Sequence, residues 1–251
     1  MMTPEWLTAR PIAHRGLHDA ADGVVENTLS ACAAAAAAGY AIEVDLQLSA
    51  DGEAMVFHDD TLDRLTEATG PVAERTAAEL KAVRYRATDD GMMRFSELLS
   101  LVSGHVPLIV ELKSRFDGDL RLVRRAAEIA APYGGRLAMM SFDPALVAAL
   151  RTLAPGIVRG ITAERHYADP EWTGLSAMRK QVLGNLLHWP ASRPQFVAFC
   201  VGDLPTVATE LARRALAVPV LTWTVRTQKD RARAERWADQ MIFEGFRPKL
   251  T

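Results

Sequence analysis

Two short apolar runs carry charge at alternate positions. In Ile42-Glu43-Val44-Asp45-Leu46 the charges are both carboxylates, and in Leu108-Ile109-Val110-Glu111-Leu112-Lys113 they are a carboxylate and an ammonium. Residues two apart on a β-strand share a face, so Glu43 with Asp45, and Glu111 with Lys113, point one way while their apolar neighbours point the other. Burying such groups costs several kcal/mol each unless they are paired or bind metal, so Glu43, Asp45 and Glu111 converging at strand ends imply a cation. An all-oxygen donor set with no thiolate nearby suits one divalent ion, Mg2+ or Ca2+, better than zinc. Histidines end two further apolar runs, in Ala13-His14-Arg15-Gly16 and Val56-Phe57-His58-Asp59-Asp60. Imidazole moves protons near neutral pH, and Arg15 and Lys113 are partners for an anion. Either carboxylate pair alone would read as a salt bridge, and a lone histidine as a structural residue. Together they describe a centre that clamps and cleaves a phosphate ester.

Such side chains need strands that end at one place. Apolar or β-branched runs at Pro11–His14, Ala41–Gln47, Pro107–Lys113, Arg136–Ser141, Ile157–Ile161, Phe196–Val201, Val218–Val225 and Gln240–Phe243 read as eight strands. Helical segments alternate with them at Leu29–Gly39, Leu120–Ala131, Pro144–Leu153, Trp172–Leu187, Pro205–Ala215 and Lys229–Ala238. Alternation at this length predicts the α/β class and a (β/α)8 TIM barrel, whose catalytic residues sit at the carboxyl ends of its strands. The Ala33–Ala38 run ending at Gly39 reads as a closely packing helix. About 60 residues separate the second strand from the third, roughly twice what a barrel unit needs, so a small insertion at about 47–90 is expected. Within this connection Glu53–Phe57 suggests a strand and Thr76–Val83 a helix, while Phe95–Val102 reads as the barrel's own helix. An insertion there overhangs the catalytic face and is expected to act as a lid or substrate-selecting flap.

The 251 residues fit one domain, 1–251. With 49% hydrophobic residues and no apolar run near the roughly 20 residues of a membrane span, no stable membrane insertion is expected. Lys+Arg 29 against Asp+Glu 31 leaves a net charge of −2, too little basic field to attract nucleic acid. Cys32 and Cys200 stand in apolar contexts and read as buried, inert thiols. The segment Met1–Arg10 lacks the basic-then-apolar pattern of a secretory leader, and a cytoplasmic compartment is expected.

In order and spacing these residues resemble those of the glycerophosphodiester phosphodiesterase family. The likeness runs from His14-Arg15-Gly16 through Glu26-Asn27-Thr28, Glu43-Val44-Asp45, and His58-Asp59 followed by Leu62 and Arg64-Leu65-Thr66, to Glu111-Leu112-Lys113. Weaker echoes are Phe95-Ser96-Glu97-Leu98-Leu99, Ser141-Phe142-Asp143 and Thr222-Trp223-Thr224-Val225. The resemblance implies a TIM barrel with an insertion after its second strand, and hydrolysis of a small-molecule glycerophosphodiester to glycerol 3-phosphate and an alcohol. Carried over, Glu43, Asp45 and Glu111 are the expected metal ligands and His14 and His58 the acid–base pair, with His14 first choice as base. Arg15 and Lys113 would contact phosphate, Glu26 would either line the site beside His14 or support it from behind, and Trp223 would wall the glycerol pocket or fill the barrel core.

Two positions depart from the family pattern. Val25 replaces a proline before Glu-Asn-Thr, and Phe243-Glu244-Gly245-Phe246-Arg247-Pro248 stands where Thr-Asp would precede the proline. The second departure puts the usual rim contact from the last strand in question. His18, His105, His166 and His188 read as loop or surface residues, with His18 the one nearest the first motif. Alternative readings are a phospholipase D-like barrel enzyme acting on intact phospholipids and a noncatalytic phosphometabolite binder. A homo-oligomer is left open.

Overall fold

A computed structural model describes residues 3–250. Its strands are β1 (Ile12–Ala13), β2 (Ala41–Leu48), β3 (Ala54–Val56), β4 (Leu108–Leu112), β5 (Leu137–Ser141), β6 (Val158–Ala163), β7 (Phe196–Cys200), β8 (Val220–Val225) and β9 (Gln240–Phe243). Its helices are α1 (Leu29–Ala37), α2 (Ala77–Ala82), α3 (Phe95–Val102), α4 (Arg121–Ala130), α5 (Pro144–Leu153), α6 (Ala177–Gly184), α7 (Trp189–Ser192), α8 (Val207–Arg214) and α9 (Gln228–Trp237). β1 pairs in parallel with both β2 and β9, and β4 to β9 follow in order, so eight parallel strands close into a TIM barrel. β3 lies off this ring, antiparallel to β2.

Alternation along each strand divides the core in two. Ile12, Ala41, Ile109, Ala138, Val158, Phe196, Leu221 and Ile242 share one apolar cluster with Leu7. Their strand neighbours Ala13, Ile42, Val44, Leu108 and Val110 pack instead with residues of α1, α3 and α4. Helix starts are set by caps: Thr28, Asp143, Ser176, Thr206 and Thr227 each accept a backbone N–H of the helix that follows.

The segment between β2 and α3 has its own apolar core, in which Met55, Phe57, Leu62, Val72, Leu80 and Tyr85 are buried. The expected helix Trp172–Leu187 is broken. A 3-10 turn spans Pro170–Trp172, and α6 begins only at Ala177, where Ser176 accepts the Arg179 N–H. Trp172 turns inward instead, its ring 4.8 Å from Phe142 and 5.2 Å from Tyr167. This aromatic packing outweighs the local helical preference. Cys32 is buried, and burial pushes its thiol up to about 12; Cys200 is only half-buried.

Gly160 on β6 stands beside Phe196 on β7, and a Cβ there would overlap the buried Phe196 ring. Gly160→Ala is therefore expected to destabilise the fold by about 1–3 kcal/mol, the range for overpacked cores. Melting temperature should fall by about 2–4 °C per kcal/mol, and an unchanged melting curve would show that the ring can move aside. His188 precedes α7 with Nδ1 2.9 Å from Ser192 Oγ, and burial lowers its pKa to about 4. The unfolded ring takes its proton near pH 6.5, so wild type loses stability as pH falls from 6.5 to about 4. Melting curves of His188→Gln should lack that contribution; parallel pH profiles for the two proteins would contradict it.

Candidate active site

A cavity of about 640 Å3 opens at the carboxyl ends of the barrel strands, lined by His14, Arg15, Glu43, Asp45, His58, Glu111 and Lys113 among others. A groove of about 600 Å3 outside the barrel, along α3 and the α4–β5 loop, has Arg136 as its one charged lining residue. The carboxylates and histidines gather at the mouth.

Glu43, Asp45 and Glu111 follow inward-facing Ala41 and Ile109 on the same strand faces, and the β2–β4 register sets Asp45 directly against Glu111. All three are buried, and one carboxylate oxygen from each lies within 4.8 Å of the others. Burial pushes the Glu43 carboxyl well above the usual range, and the neighbouring Asp45 and Glu111 push it further. Burial opposes ionisation of Asp45 too, but Lys113, His58 and Arg15 more than offset it and hold Asp45 well below the usual range. Three crowded oxygen donors, one destabilised by the other two, fit a hard divalent cation. Lys113 Nζ bridges Glu111 Oε1 at 2.7 Å and Asp45 Oδ1 at 2.8 Å. These two carboxylates more than offset the effect of burial and keep Lys113 protonated well above neutral pH.

The loop after β1 explains the Glu26-Asn27-Thr28 motif. Thr28 caps α1. Asn27, in the left-handed region with φ 58°, donates to Asp45 Oδ2 at 2.9 Å and accepts from the Asp45 N–H at 3.2 Å, locking that carboxylate in place. Glu26 does not line the cavity; it bonds Arg15 and Arg64. Arg64 also bonds Asp59, so the insertion is tied to the β1 loop. Arg15 donates its N–H to Glu43 Oε2 at 3.0 Å, and its Nε lies 3.4 Å from Asp45 Oδ2. The turn that places Arg15 needs Gly16, whose φ is 81° and where a Cβ would collide with the Ala31 backbone.

Each histidine is held by a carboxylate. His58 Nδ1 is 2.7 Å from Asp59 Oδ1, and His14 Nδ1 is 2.8 Å from Glu244 Oε2. Burial lowers the pKa of His14 to about 4, so near neutral pH it is a neutral ring donating Nδ1–H to Glu244. Its Nε2 faces Glu43 Oε2 at 4.0 Å. The hydrogen bond from His14 holds the Glu244 carboxyl well below the usual range, although burial opposes this, and Arg226 assists at 3.0 Å. Glu244 occupies the divergent end of the last strand. Sequence reasoning missed its role, and the only signal was a carboxylate two residues after inward-facing Ile242.

Trp223 also lines the cavity, its Nε1 donating to Ala198 O at 3.0 Å and its ring 5.5 Å from Phe142. It packs against the inner core as well. Phe142, Trp172 and Phe116 continue this aromatic wall.

The sequence model of the glycerophosphoryl diester phosphodiesterase family matches residues 14–246. Over 102 residues the chain is 35% identical to the glycerophosphodiester phosphodiesterase of Caldanaerobacter subterraneus, covering 40% of this chain and 37% of that protein. It is 41% identical over 85 residues to glycerophosphodiester phosphodiesterase 1 of Bos taurus, covering 32% and 24%. The chain thus spans well under two thirds of the length of these relatives. A glycerophosphodiester phosphodiesterase structure from Thermotoga maritima superposes with a TM-score of 0.68 at 25% identity over 92% of each chain. An Oleispira antarctica phosphodiesterase solved with its product sn-glycerol-3-phosphate shares the fold, with a TM-score of 0.75 at 21% identity over 93% of this chain and 91% of that one. With the family match reaching from His14 past Glu244, across β2 and all the strands that follow it, the chain belongs to the glycerophosphoryl diester phosphodiesterase family.

Proposed function

We propose that this cavity hydrolyses soluble glycerophosphodiesters to glycerol 3-phosphate and an alcohol, with one Mg2+ or Ca2+ held by Glu43, Asp45 and Glu111. The observation that carries the reading is the carboxylate trio lying beside two histidines, each fixed through Nδ1 by its own carboxylate. The Oleispira antarctica structure with bound sn-glycerol-3-phosphate supports the product class. When bound, the cation would neutralise charge on the phosphoryl oxygens. Arg15 and Lys113 add fixed positive charge on the same wall.

His14 is the base. Its Nδ1 proton is committed to Glu244, so Nε2 carries a free lone pair and accepts the proton of the attacking oxygen, from water or the neighbouring glycerol hydroxyl. As the new P–O bond forms, the bond from phosphorus to the alcohol oxygen breaks, and His58 supplies that oxygen with its proton. Attack by water gives glycerol 3-phosphate at once, whereas attack by the glycerol hydroxyl gives a cyclic phosphate that water then opens, the two histidines exchanging roles. Asp59 orients the His58 ring, as Glu244 orients His14. Glu26 acts through Arg15 and does not touch substrate. Trp223 and Phe142 form the apolar side of the pocket, against which the glycerol carbons would lie. No described helix is long and apolar enough to cross a membrane, and the free thiols Cys32 and Cys200 support the cytoplasm as the proposed compartment.

Incubation with glycerophosphocholine, glycerophosphoethanolamine and related diesters should release glycerol 3-phosphate with Mg2+ or Ca2+ present and stop on chelation. Folded protein that cleaves only lipid dispersions, or nothing, would overturn the proposal. Glu244→Gln, which no longer fixes the His14 tautomer, should lower kcat by about 100-fold or more with little change in KM. An unaltered kcat would remove the His14–Glu244 pair from the mechanism.

A further inference from the structure

The other edge of the His14 ring faces a second set of donors. His14, His18 and Glu244 each offer one ligating atom, and these atoms lie within 4.8 Å of one another. His14 Nδ1 is 2.8 Å and His18 Nε2 3.9 Å from the same oxygen, Glu244 Oε2. His18 Nε2 is buried yet has no hydrogen-bond partner among the described residues. The β1 loop makes this placement: the Gly16 turn packs on Ala31 and the Leu17 N–H bonds Ala31 O, which brings His18 round to the end of β9. Glu244 Oε2 also accepts from Arg226, whose side chain is 55% exposed.

We propose that His14, His18 and Glu244 form a second divalent-cation site, selective for a nitrogen-preferring ion such as Zn2+, through which zinc inhibits the hydrolase. Two imidazoles and a carboxylate are a donor set that zinc favours, whereas the oxygen trio of Glu43, Asp45 and Glu111 favours Mg2+ or Ca2+. The two sets therefore sort ions by donor chemistry. Zinc on His14 Nδ1 leaves the ring's one proton on Nε2, the nitrogen that must accept a proton from the attacking oxygen. Inhibition then lowers kcat without raising KM, and excess Mg2+ does not relieve it. This consequence rests on the hydrolase reading; occupation of the site does not.

Equilibrium dialysis against Zn2+ at saturating Mg2+ tests the site directly. Wild type should retain a Zn2+ that Mg2+ does not displace, and Glu111→Gln should retain it too. His18→Gln should hold it more than about tenfold more weakly, since loss even of an outer-sphere partner changes affinity by 10–100-fold. Co2+ on wild type gives a reading that needs no variant, because a low-coordinate nitrogen-containing site intensifies its visible absorption. Zinc held equally by His18→Gln, lost from Glu111→Gln, or fully displaced by Mg2+, or Co2+ that stays weakly absorbing, would overturn the site. Turnover unaffected by bound zinc would overturn the inhibitory role. Failure to cleave any glycerophosphodiester would count against the hydrolase reading alone, since the dialysis result does not depend on it.

Discussion

Three carboxylates held together out of water repel one another, and much of the barrel mouth is arranged around that repulsion. Glu43, Asp45 and Glu111 are all buried, and their oxygens share a space 4.8 Å across. Lys113 and Arg15 offset part of the charge from the side, while Asn27 holds Asp45 by both of its polar groups. Glu43 remains the strained member, its carboxyl pushed up by burial and by its two neighbours. In the proposed function a divalent cation would relieve this strain and supply the charge that a phosphate ester needs.

The barrel makes the arrangement possible through strand alternation. On five of the eight ring strands the inward face begins with an apolar residue in the closed core and ends with a charged, imidazole or indole side chain at the mouth: Ile12 then His14, Ala41 then Glu43 and Asp45, Ile109 then Glu111 and Lys113, Leu221 then Trp223, Ile242 then Glu244. The same strands both fill the interior and present the site. The insertion after β2 has an apolar core of its own that includes Phe57, and it places the adjoining His58 and Asp59 on the cavity wall.

This logic was legible where local sequence carries it. Period-two charge in apolar runs marked the inner faces of β2 and β4, and strand spacing marked the ring and its insertion. What could not be read locally depends on contacts between distant segments. Glu244 meets His14 across 230 residues, and Glu26 meets Arg64 across 38. Which of its two expected roles Glu26 plays, lining the site or supporting it, could not be read locally, and its contacts with Arg15 and Arg64 make it a tie between loops. The break after Trp172 has the same cause, because Phe142 and Tyr167, remote in sequence, draw that ring inward.

The proposed function stands on Glu43, Asp45 and Glu111 forming a divalent-cation centre. Calorimetric titration of Mg2+ and Ca2+ into wild type and Glu43→Gln, with melting curves on the same samples, tests it most directly. Wild type should show saturable binding and a raised melting temperature, both largely lost in Glu43→Gln. Absence of binding to folded wild type, or equal affinity in Glu43→Gln, would contradict it.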